Sequence, residues 1–288
     1  MNNDIHESEY INRGSAQLQT STRITPHSTD EVRQLVLRIE EPAFHFVEGQ
    51  TIGVLVPGPH PFGNSYHHRR YSIANPRHVS ATAAVQIDLL VRRCFYIDEI
   101  SGERFPGIAS NYLCDLDPGD RITITGPYRS PFHIPMDRSS NLLMIGTGTG
   151  VAPFRAFVKH IYDQIGGWQG KVRLFYGAKT GLDLIYLNDQ NDDLAHYYDQ
   201  NTFNAFSAFG SRALSSESDG LERVLSDNIG EAWSLLQDPK THLFLAGLNK
   251  IAPVLDRILA DSAGSAQQWQ QLKQRIVNEG RWSELLYD

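Results

Sequence analysis

The sequence predicts two domains in succession: an antiparallel β-domain, then an α/β domain with a parallel, doubly wound sheet. The length of 288 residues fits about two domains at roughly 150 residues each. From residue 23 to about 128, short β-type runs are separated by turn residues, and alternation is clear in VQIDL at 85–89. After Pro135, apolar runs alternate with helical patterns, which is typical of a parallel sheet.

The domain boundaries follow from these patterns. We predict a mobile tail over residues 1–20, a β-domain over 21–136 and an α/β domain over 137–288, because prolines and a polar stretch near 131–141 interrupt both patterns. The first residues are acidic and lack an apolar segment, which indicates neither a secretory nor a transit signal. We therefore expect a cytoplasmic protein.

The β-domain reads as a barrel or a sandwich. Its predicted strands are 32–39, 51–56, 71–73, 84–96 and 121–125. In the second domain we predict strands at 142–145, 172–176, 203–209 and 243–245. A helix follows the first of these, because apolar residues from Phe154 to Ile161 recur at helical spacing. Further helical segments are predicted near 186–198, 220–237, 250–262 and 266–279.

Composition excludes several classes of function. The formal net charge is −7, without the basic excess that nucleic-acid binding requires. No apolar stretch approaches the ~18–20 residues of a membrane-spanning helix. Two cysteines, Cys94 and Cys114, form neither a disulfide framework nor a metal motif, and we expect both to be buried structural thiols. Redox chemistry would therefore need an organic cofactor.

The strongest motif is GTGTGVAP at 146–153, where a predicted strand runs into a helix. Glycines let the backbone approach a diphosphate, and a helix start directs free N–H groups and a positive dipole end towards it. The motif favours a dinucleotide site. The alternative interpretation is a tight strand–helix connection that binds no ligand. It lacks the Lys of a P-loop and the spacing of GxGxxG.

Two segments of the β-domain suggest a second nucleotide site. RRYS at 69–72 places a cation, an aromatic ring and a hydroxyl on one strand, which suits a flavin nucleotide; a surface Arg pair beside a core Tyr is the alternative. In IASNYLCDL at 108–116, Ser110 is expected to cap a short helix whose N-terminus could bind an anion. An ordinary capped helix closing the barrel is equally consistent with these residues.

Eight segments in this order resemble the plant-type ferredoxin–NADP reductases, a family with an FAD-binding Greek-key β-barrel followed by an NADP-binding α/β domain. The resemblance spans residues 22–287. It is carried by EGQTIGV (48–54), RRYSIAN (69–75), LLVRRCFY (89–96), IASNYLCDL (108–116), GDRITITGP (119–127), GTGTGVAPFRAF (146–157), AGL (246–248) and RWSELLY (281–287).

The resemblance implies roles for single residues. On the FAD side, Arg69 would pair with the diphosphate, Tyr71 would pack on the isoalloxazine, and Ser72 would lie near flavin N5. Tyr287 would cover the other flavin face and must yield to nicotinamide, so that Ser72 and Tyr287 are the expected catalytic residues. The other expected FAD contacts are Leu90, Tyr96, Ile108, Ala109 and Ser110.

For NADP, the resemblance implies that Arg92 faces the diphosphate and that Ser211 and Arg212 hold the 2′-phosphate, with possible help from Arg223. Since NAD-specific sites usually place an acid at the ribose, NADPH is favoured. The other expected NADP contacts are Gly148, Thr149, Gly150, Gly247 and Leu248.

The sequence also departs from the family pattern. Ala246 stands where a Cys is common, and Leu285 stands where an acid precedes the terminal Tyr by two residues, with Glu284 one residue away. We also expect His67 and His68 to be loop residues rather than acid–base groups.

The function implied is an FAD-dependent NADPH oxidoreductase that passes electrons through flavin N5 to a separate one-electron carrier such as ferredoxin or flavodoxin. The alternatives are the reductase component of an oxygenase system and a non-catalytic flavin-binding subunit. We expect no metal site, no nucleic-acid partner and no membrane insertion.

Overall fold

A computed structural model describes residues 12–41, 43–60, 64–78, 84–188, 191–210 and 216–287. The chain forms two compact units, one ending at Ser130 and the other beginning at Pro131. Within the described residues, no helix is long and apolar enough to cross a membrane.

The first unit is an antiparallel β-barrel. Six strands form one sheet in the order β4-β3-β8-β1-β2-β5. They are β1 (Gly14–Arg23), β2 (Val32–Ile39), β3 (Thr51–Pro57), β4 (Tyr66–Ser72), β5 (Val85–Arg92) and β8 (Arg121–Tyr128). A bridge between Ile73 and Leu89 joins the two end strands and closes the sheet. The predicted antiparallel barrel is thereby confirmed.

Two smaller elements follow β5. Strands β6 (Phe95–Ile97) and β7 (Arg104–Pro106) pair as a separate hairpin, and helix α1 (Ile108–Cys114) comes directly after it. The barrel core is built by period-two alternation, as on β2, where Leu35, Leu37 and Ile39 are fully buried. Helix α1 packs on this core through Ala109 and Leu113.

Strand β1 corrects the predicted tail. Residues 14–20 belong to β1, which pairs with both β2 and β8 and is therefore an interior strand of the barrel. Only Ala16 and Leu18 of this segment point into the core, so its sequence looks polar although its backbone pairs with strands on both sides. Residues 1–11 of the predicted tail lie outside the described residues.

The second unit is an α/β domain with a parallel sheet in the order β11-β10-β9-β12-β13. Its strands are β9 (Asn141–Thr147), β10 (Val172–Ala178), β11 (Phe203–Phe209), β12 (Thr241–Leu248) and β13 (Trp282–Tyr287). Its helices are α2 (Val151–Lys159), α3 (Glu217–Asp227), α4 (Ile229–Gln237), α5 (Ile251–Ala263) and α6 (Ala266–Asn278).

Apolar layers cover both faces of this sheet, which confirms the doubly wound prediction. Buried residues of α3, α4, α5 and α6 pack on one face together with Leu143, Phe175 and Leu245. On the other face, Phe244 of β12 contacts the rings of Phe132 and Phe157, both at 5.3 Å between centroids.

Three predicted elements differ in detail. The helix expected near 186–198 is wrong within the described residues: Tyr186 has a positive φ of 64°, so no helix starts there, Asn188 and Asn191 pair in an isolated bridge, and a short 3-10 turn forms at Ala195–Tyr197. The run 84–96 divides into β5 and β6, and the segment 220–237 divides at Asn228. Strand β13 was not predicted.

Candidate nucleotide-binding sites

The glycine-rich turn lies at the carboxyl end of the central strand of the parallel sheet. Strand β9 ends at Thr147, a 3-10 turn covers Gly148–Gly150, and α2 begins at Val151. Gly148 has a positive φ of 52°, a conformation that favours glycine. In doubly wound folds ligands bind outside the carboxyl ends of the strands, so the predicted dinucleotide motif lies where such a site belongs.

Gly150 allows the turn to pack directly on the neighbouring strand. A Cβ atom added to Gly150 would come within 2.4 Å of the carbonyl oxygen of Ala246 on β12. Since the backbone of Gly150 fixes the position of the Cβ and the carbonyl belongs to the backbone of β12, no side-chain rotation could relieve this contact. Gly150 is therefore required for packing of the turn against the sheet.

Two buried hydroxyls lie at the same turn. The phenol of Tyr176 donates a hydrogen bond of 2.8 Å to the carbonyl oxygen of Gly148. The Oγ1 of fully buried Thr147 has no hydrogen-bond partner within the described part of the chain. A Cβ on Gly247, which has a positive φ of 144°, would lie 2.5 Å from this Oγ1. A buried unsatisfied hydroxyl is unfavourable, and a ligand at the turn would be one way to satisfy it.

Tyr287 contacts this turn through its side chain. It ends β13, where its register partner is Leu248, and its carbonyl oxygen accepts a 2.9 Å hydrogen bond from the amide of Asn249. Its phenol oxygen lies 2.9 Å from Oγ1 of Thr149. Tyr287, Thr149 and Leu248 were all predicted site residues, and the structure brings them together.

The two departures from the family pattern are neighbours. Ala246 on β12 is the register partner of Leu285 on β13. Leu285 shares its face of β13 with Tyr287, because side chains two residues apart point to the same side. The position beside Tyr287 is therefore apolar on both strands.

The predicted 2′-phosphate residues, Ser211 and Arg212, lie outside the described residues. The helper residue, Arg223, lies on α3, where its exposed guanidinium is 3.7 Å from the carboxylate of Asp227. An exposed pair of this kind stabilises a helix only weakly.

In the first unit, β4 carries the predicted flavin residues. Arg69 and Tyr71 share one face of the strand by alternation, whereas Ser72, the last residue of β4, points to the other. Arg69 is exposed and Tyr71 is half-buried against the barrel core. Burial raises the pKa of the Tyr71 phenol far above its ordinary value, so the phenol stays protonated and can donate a hydrogen bond.

The opposite face of β4 holds a cluster that the sequence analysis missed. The guanidinium of Arg70 lies over the Tyr128 ring at 4.0 Å, and the Tyr128 phenol donates a 2.9 Å hydrogen bond to Thr125 Oγ1. The same Oγ1 is 3.1 Å from Nε2 of His68. His67 and His68 belong to β4 rather than to a loop, which corrects that prediction, and burial lowers the pKa of both imidazoles.

Helix α1 begins differently from the prediction. Its N-cap is Gly107, with no side-chain cap, and Ser110 lies inside the first turn. The Ser110 hydroxyl accepts a 3.1 Å hydrogen bond from the amide of Cys94 and donates one of 3.3 Å to the carbonyl of Gly107. The predicted Ser110 N-cap is wrong because this hydroxyl joins α1 to the β5–β6 turn instead. The first-turn amides, from Ile108 to Ser110, are left without a side-chain cap.

Arg93 fixes α1 against the barrel and was not singled out in the sequence. Its Nε donates to Glu31 at 2.8 Å, and its Nη1 donates to Asp115 at 2.7 Å and to Asn111 Oδ1 at 3.1 Å. Burial is the largest single influence on this guanidinium and by itself lowers its pKa. The hydrogen bonds to Asp115 and Glu31 together outweigh the effect of burial, so the pKa is raised. Such long-range pairs leave no local signal in a sequence.

The remaining predicted residues of this unit occupy β5, β6 and α1. Leu90 is buried and Arg92 half-buried on the side of β5 that faces away from the core residues Leu89 and Val91. Tyr96 on β6 is 57% exposed and stacks on Phe105 at 5.4 Å. Its outer ring face is accessible to an aromatic ligand.

The cysteines do not behave alike. Cys114 is buried, and burial raises its thiol pKa to about 12. Cys94 is exposed, which corrects the expectation that both are buried.

Within the described residues, no group of three or more His, Cys, Asp or Glu side chains could hold a metal ion.

An α/β domain follows an antiparallel β-barrel, and its glycine-rich turn lies where doubly wound folds bind dinucleotides. Residues 144–256 match the family model described as the oxidoreductase NAD-binding domain. They contain the glycine-rich turn and the Gly247–Leu248 end of β12.

Relatives of known name cover most of the chain. It is 31% identical over 259 residues to a ferredoxin–NADP reductase of Synechocystis sp., covering 87% of this chain and 62% of that protein. It is 30% identical over 248 residues to the chloroplastic leaf isozyme 1 of ferredoxin–NADP reductase from Arabidopsis thaliana, covering 83% of this chain and 68% of that protein. The chain belongs to the ferredoxin–NADP reductase family. It spans less than two thirds of the length of the Synechocystis protein.

A solved structure supports the fold independently. Ferredoxin–NADP+ reductase from Plasmodium falciparum superposes with a TM-score of 0.73 at 19% sequence identity, covering 98% of both chains. The order of a β-barrel followed by an α/β domain is thus that of a known fold.

Proposed function

We propose that this protein is an FAD-dependent NADPH oxidoreductase that passes electrons to a separate one-electron carrier such as ferredoxin or flavodoxin. The observation that carries the proposal is the contact between Tyr287 and Thr149, which places an aromatic ring beside the glycine-rich turn. The names of the relatives support the same activity.

The residues of the second unit suit a dinucleotide. Thr147 provides a buried hydroxyl with no partner in the described chain, at the turn where the first amides of α2 have no side-chain cap. The turn Gly148–Gly150, together with Gly247 and Leu248, would hold the diphosphate part of NADPH. Ser211 and Arg212, with Arg223, are proposed from the sequence for its 2′-phosphate.

The residues of the first unit suit FAD. Uncapped amides at the start of α1, contributed by Ile108, Ala109 and Ser110, can donate hydrogen bonds to an anion, and the exposed guanidinium of Arg69 can balance its charge. The exposed ring of Tyr96 offers a stacking surface for the adenine. Leu90, Tyr71 and Ser72 are proposed to contact the remainder of the cofactor, and Arg92 to face the NADPH diphosphate.

FAD, when bound, supplies the conversion between two-electron hydride transfer and one-electron transfer. The chain contributes binding, orientation and protection of the reacting rings. Tyr71 keeps its proton because burial raises its pKa, so its phenol can donate a hydrogen bond over the whole physiological range. Ala246 and Leu285 place apolar side chains, and no carboxylate, beside Tyr287.

A direct experiment tests the proposal. The full chain, purified with FAD, is expected to be yellow and to lose its flavin absorbance when NADPH is added under anaerobic conditions. It should then reduce ferricyanide with turnover. A protein that takes up no FAD would contradict the proposal, and one that binds FAD without turnover would instead be a flavin-binding subunit.

The carrier is identified by adding ferredoxin, flavodoxin or an oxygenase component to the same assay. Reduction of the oxygenase component alone would favour the reductase of an oxygenase system.

A cytoplasmic location remains a proposal from the sequence, since named relatives include a chloroplastic and a cyanelle protein. Fractionation of expressing cells tests it.

A further inference from the structure

The contact between Thr149 and Tyr287 joins two hydroxyls that lie 138 positions apart in the sequence. Thr149 Oγ1 and the Tyr287 phenol oxygen are 2.9 Å apart in a part-buried position. A direct hydrogen bond at this distance has good geometry and excludes water from between the two groups.

The backbone is fixed at both ends of this contact. Tyr287 is held by pairing of β13 with β12 and by the hydrogen bond from the Asn249 amide to its carbonyl. The turn at Thr149 is held by the Tyr176 phenol on Gly148 and by the packing of Gly150 on Ala246. The hydroxyl–hydroxyl bond can therefore open by side-chain rotation alone, without disturbing the sheet.

A bound dinucleotide would meet this contact directly. A threonine hydroxyl has one proton to donate and two lone pairs. At a turn that holds a diphosphate, the proton of Thr149 would go to an anionic oxygen of the phosphate nearer the nicotinamide, which 2′,5′-ADP lacks and which cannot donate in return. The nicotinamide half would extend beyond the turn, where the Tyr287 side chain lies against Thr149.

We propose that Thr149 is a positioning residue that holds the Tyr287 ring beside the turn until a complete dinucleotide displaces it. The inference rests on the proposed function, because it presupposes that NADP(H) binds here. If the inference is right, NADP+ has to break the Thr149–Tyr287 hydrogen bond in order to displace the ring. The bond then weakens NADP+ binding. Binding of 2′,5′-ADP, which lacks the nicotinamide half, is expected to be independent of the bond.

The test is a double-mutant cycle on the full chain loaded with FAD. Tyr287→Phe removes the phenol oxygen but keeps the ring, and Thr149→Val removes the hydroxyl at nearly constant volume. Dissociation constants for NADP+ and 2′,5′-ADP are measured by calorimetry for the wild type, both single variants and the double variant. Thr149→Ser, which keeps a hydroxyl, serves as the conservative variant.

We expect Tyr287→Phe to tighten NADP+ about two- to tenfold, the range for loss of one hydrogen bond, and to leave 2′,5′-ADP unchanged. The same substitution should have no effect in the Thr149→Val background and its full effect in the Thr149→Ser background. This pattern assigns the effect of the phenol to the Thr149 hydroxyl rather than to the ring itself.

A matched control lies in the same unit. Tyr162 and Thr202 form another hydroxyl pair, at 2.8 Å, away from the glycine-rich turn. Tyr162→Phe should leave both dissociation constants unchanged. The inference is overturned if Tyr287→Phe has equal effects in the wild-type and Thr149→Val backgrounds, or no effect in either. Failure of the wild type to bind NADP+ would instead contradict the proposed function.

Discussion

The indole Nε1 of Trp282 donates a hydrogen bond of 2.5 Å to Oε1 of Glu284. Both residues lie on the face of β13 that packs towards the helical layer, where Trp282 contacts the Trp269 ring at 5.9 Å. Leu285 and Tyr287 point to the opposite face. Glu284 therefore cannot replace an acid at position 285, although it is only one residue away.

The first prediction concerns this carboxylate. Glu284→Gln should leave NADPH-dependent ferricyanide reduction within about twofold, because the side chain faces away from Tyr287 and Gln retains an acceptor for the indole. Leu285→Glu is the contrasting variant, since it places a carboxylate on the Tyr287 face and should add an ionisation to the pH profile. A large loss of turnover in Glu284→Gln would show that β13 presents its side chains differently.

Gly150→Ala should disrupt the glycine-rich turn. The new Cβ would meet the backbone carbonyl oxygen of Ala246 at 2.4 Å, and its position is fixed by the backbone of residue 150. We expect a loss of about 1–3 kcal/mol in the free energy of unfolding, as for other overpacked sites, together with weaker NADP+ binding. Urea denaturation and calorimetry measure the two effects.

Gly230→Ala is the matched control for this substitution. Gly230 lies in α4 and an added Cβ would meet nothing within 4 Å. Alanine is favoured over glycine in a helix, so we expect a gain of roughly 0.5–1 kcal/mol. If Gly150→Ala were as stable to unfolding as Gly230→Ala, the close approach of Gly150 to β12 would be contradicted.

Arg93→Met should weaken FAD retention. Arg93 joins Glu31 to Asp115 and Asn111, and thereby sets the position of α1, whose first-turn amides are proposed to face the cofactor. Removing the guanidinium leaves the half-buried Glu31 without one of its partners, for which we expect a loss of about 1–3 kcal/mol. Thermal unfolding and the amount of flavin retained after gel filtration are the measurements.

Arg38→Met serves as control for this change. Arg38 pairs with Glu40 at 3.3 Å with both side chains about half exposed, and such pairs contribute about 0–1 kcal/mol. If this variant loses as much flavin as Arg93→Met, general charge rather than the position of α1 governs FAD binding.

The buried thiol of Cys114 predicts a loss of stability at alkaline pH. Burial raises its pKa from 9.0 to about 12, so the unfolded chain releases this proton first. The contribution is fully present below pH 9 and is lost as the pH rises towards 12. Between about pH 8 and pH 10, the wild type should lose roughly 1 kcal/mol more than Cys114→Ala. Exposed Cys94 provides the control: Cys94→Ala should behave like the wild type.

The fifth prediction concerns coenzyme choice and follows from the sequence, because Arg212 lies outside the described residues. Arg212→Ala should weaken NADPH binding by about 1.5–3 kcal/mol and NADH binding far less, if the guanidinium bonds the 2′-phosphate. Titration of both nucleotides measures the difference. Equal losses for the two nucleotides would remove the case for NADP preference.

Local signals in the sequence were sufficient for the two-domain order and for the glycine-rich turn. Period-two alternation at 85–89 and helical spacing from Phe154 to Ile161 correctly predicted β5 and α2, although the structure also buries Asp88 and Arg155, which these patterns place on the polar side. The same local signals failed at β1 and at 186–198. An interior strand with only two core side chains looks polar, and the described residues of 186–198 form an isolated bridge and one short 3-10 turn in place of a helix.

The sequence by itself determined the class of fold, the place of the dinucleotide turn and the residue types offered at both proposed sites, because these depend on contiguous residues. Only the tertiary structure decided that Thr149 contacts Tyr287, that Ala246 lies beside Leu285, that Glu284 faces away and that Arg93 fixes α1. Strand register and side-chain direction decide these contacts. Both are properties of the paired backbone, and no short stretch of sequence contains them.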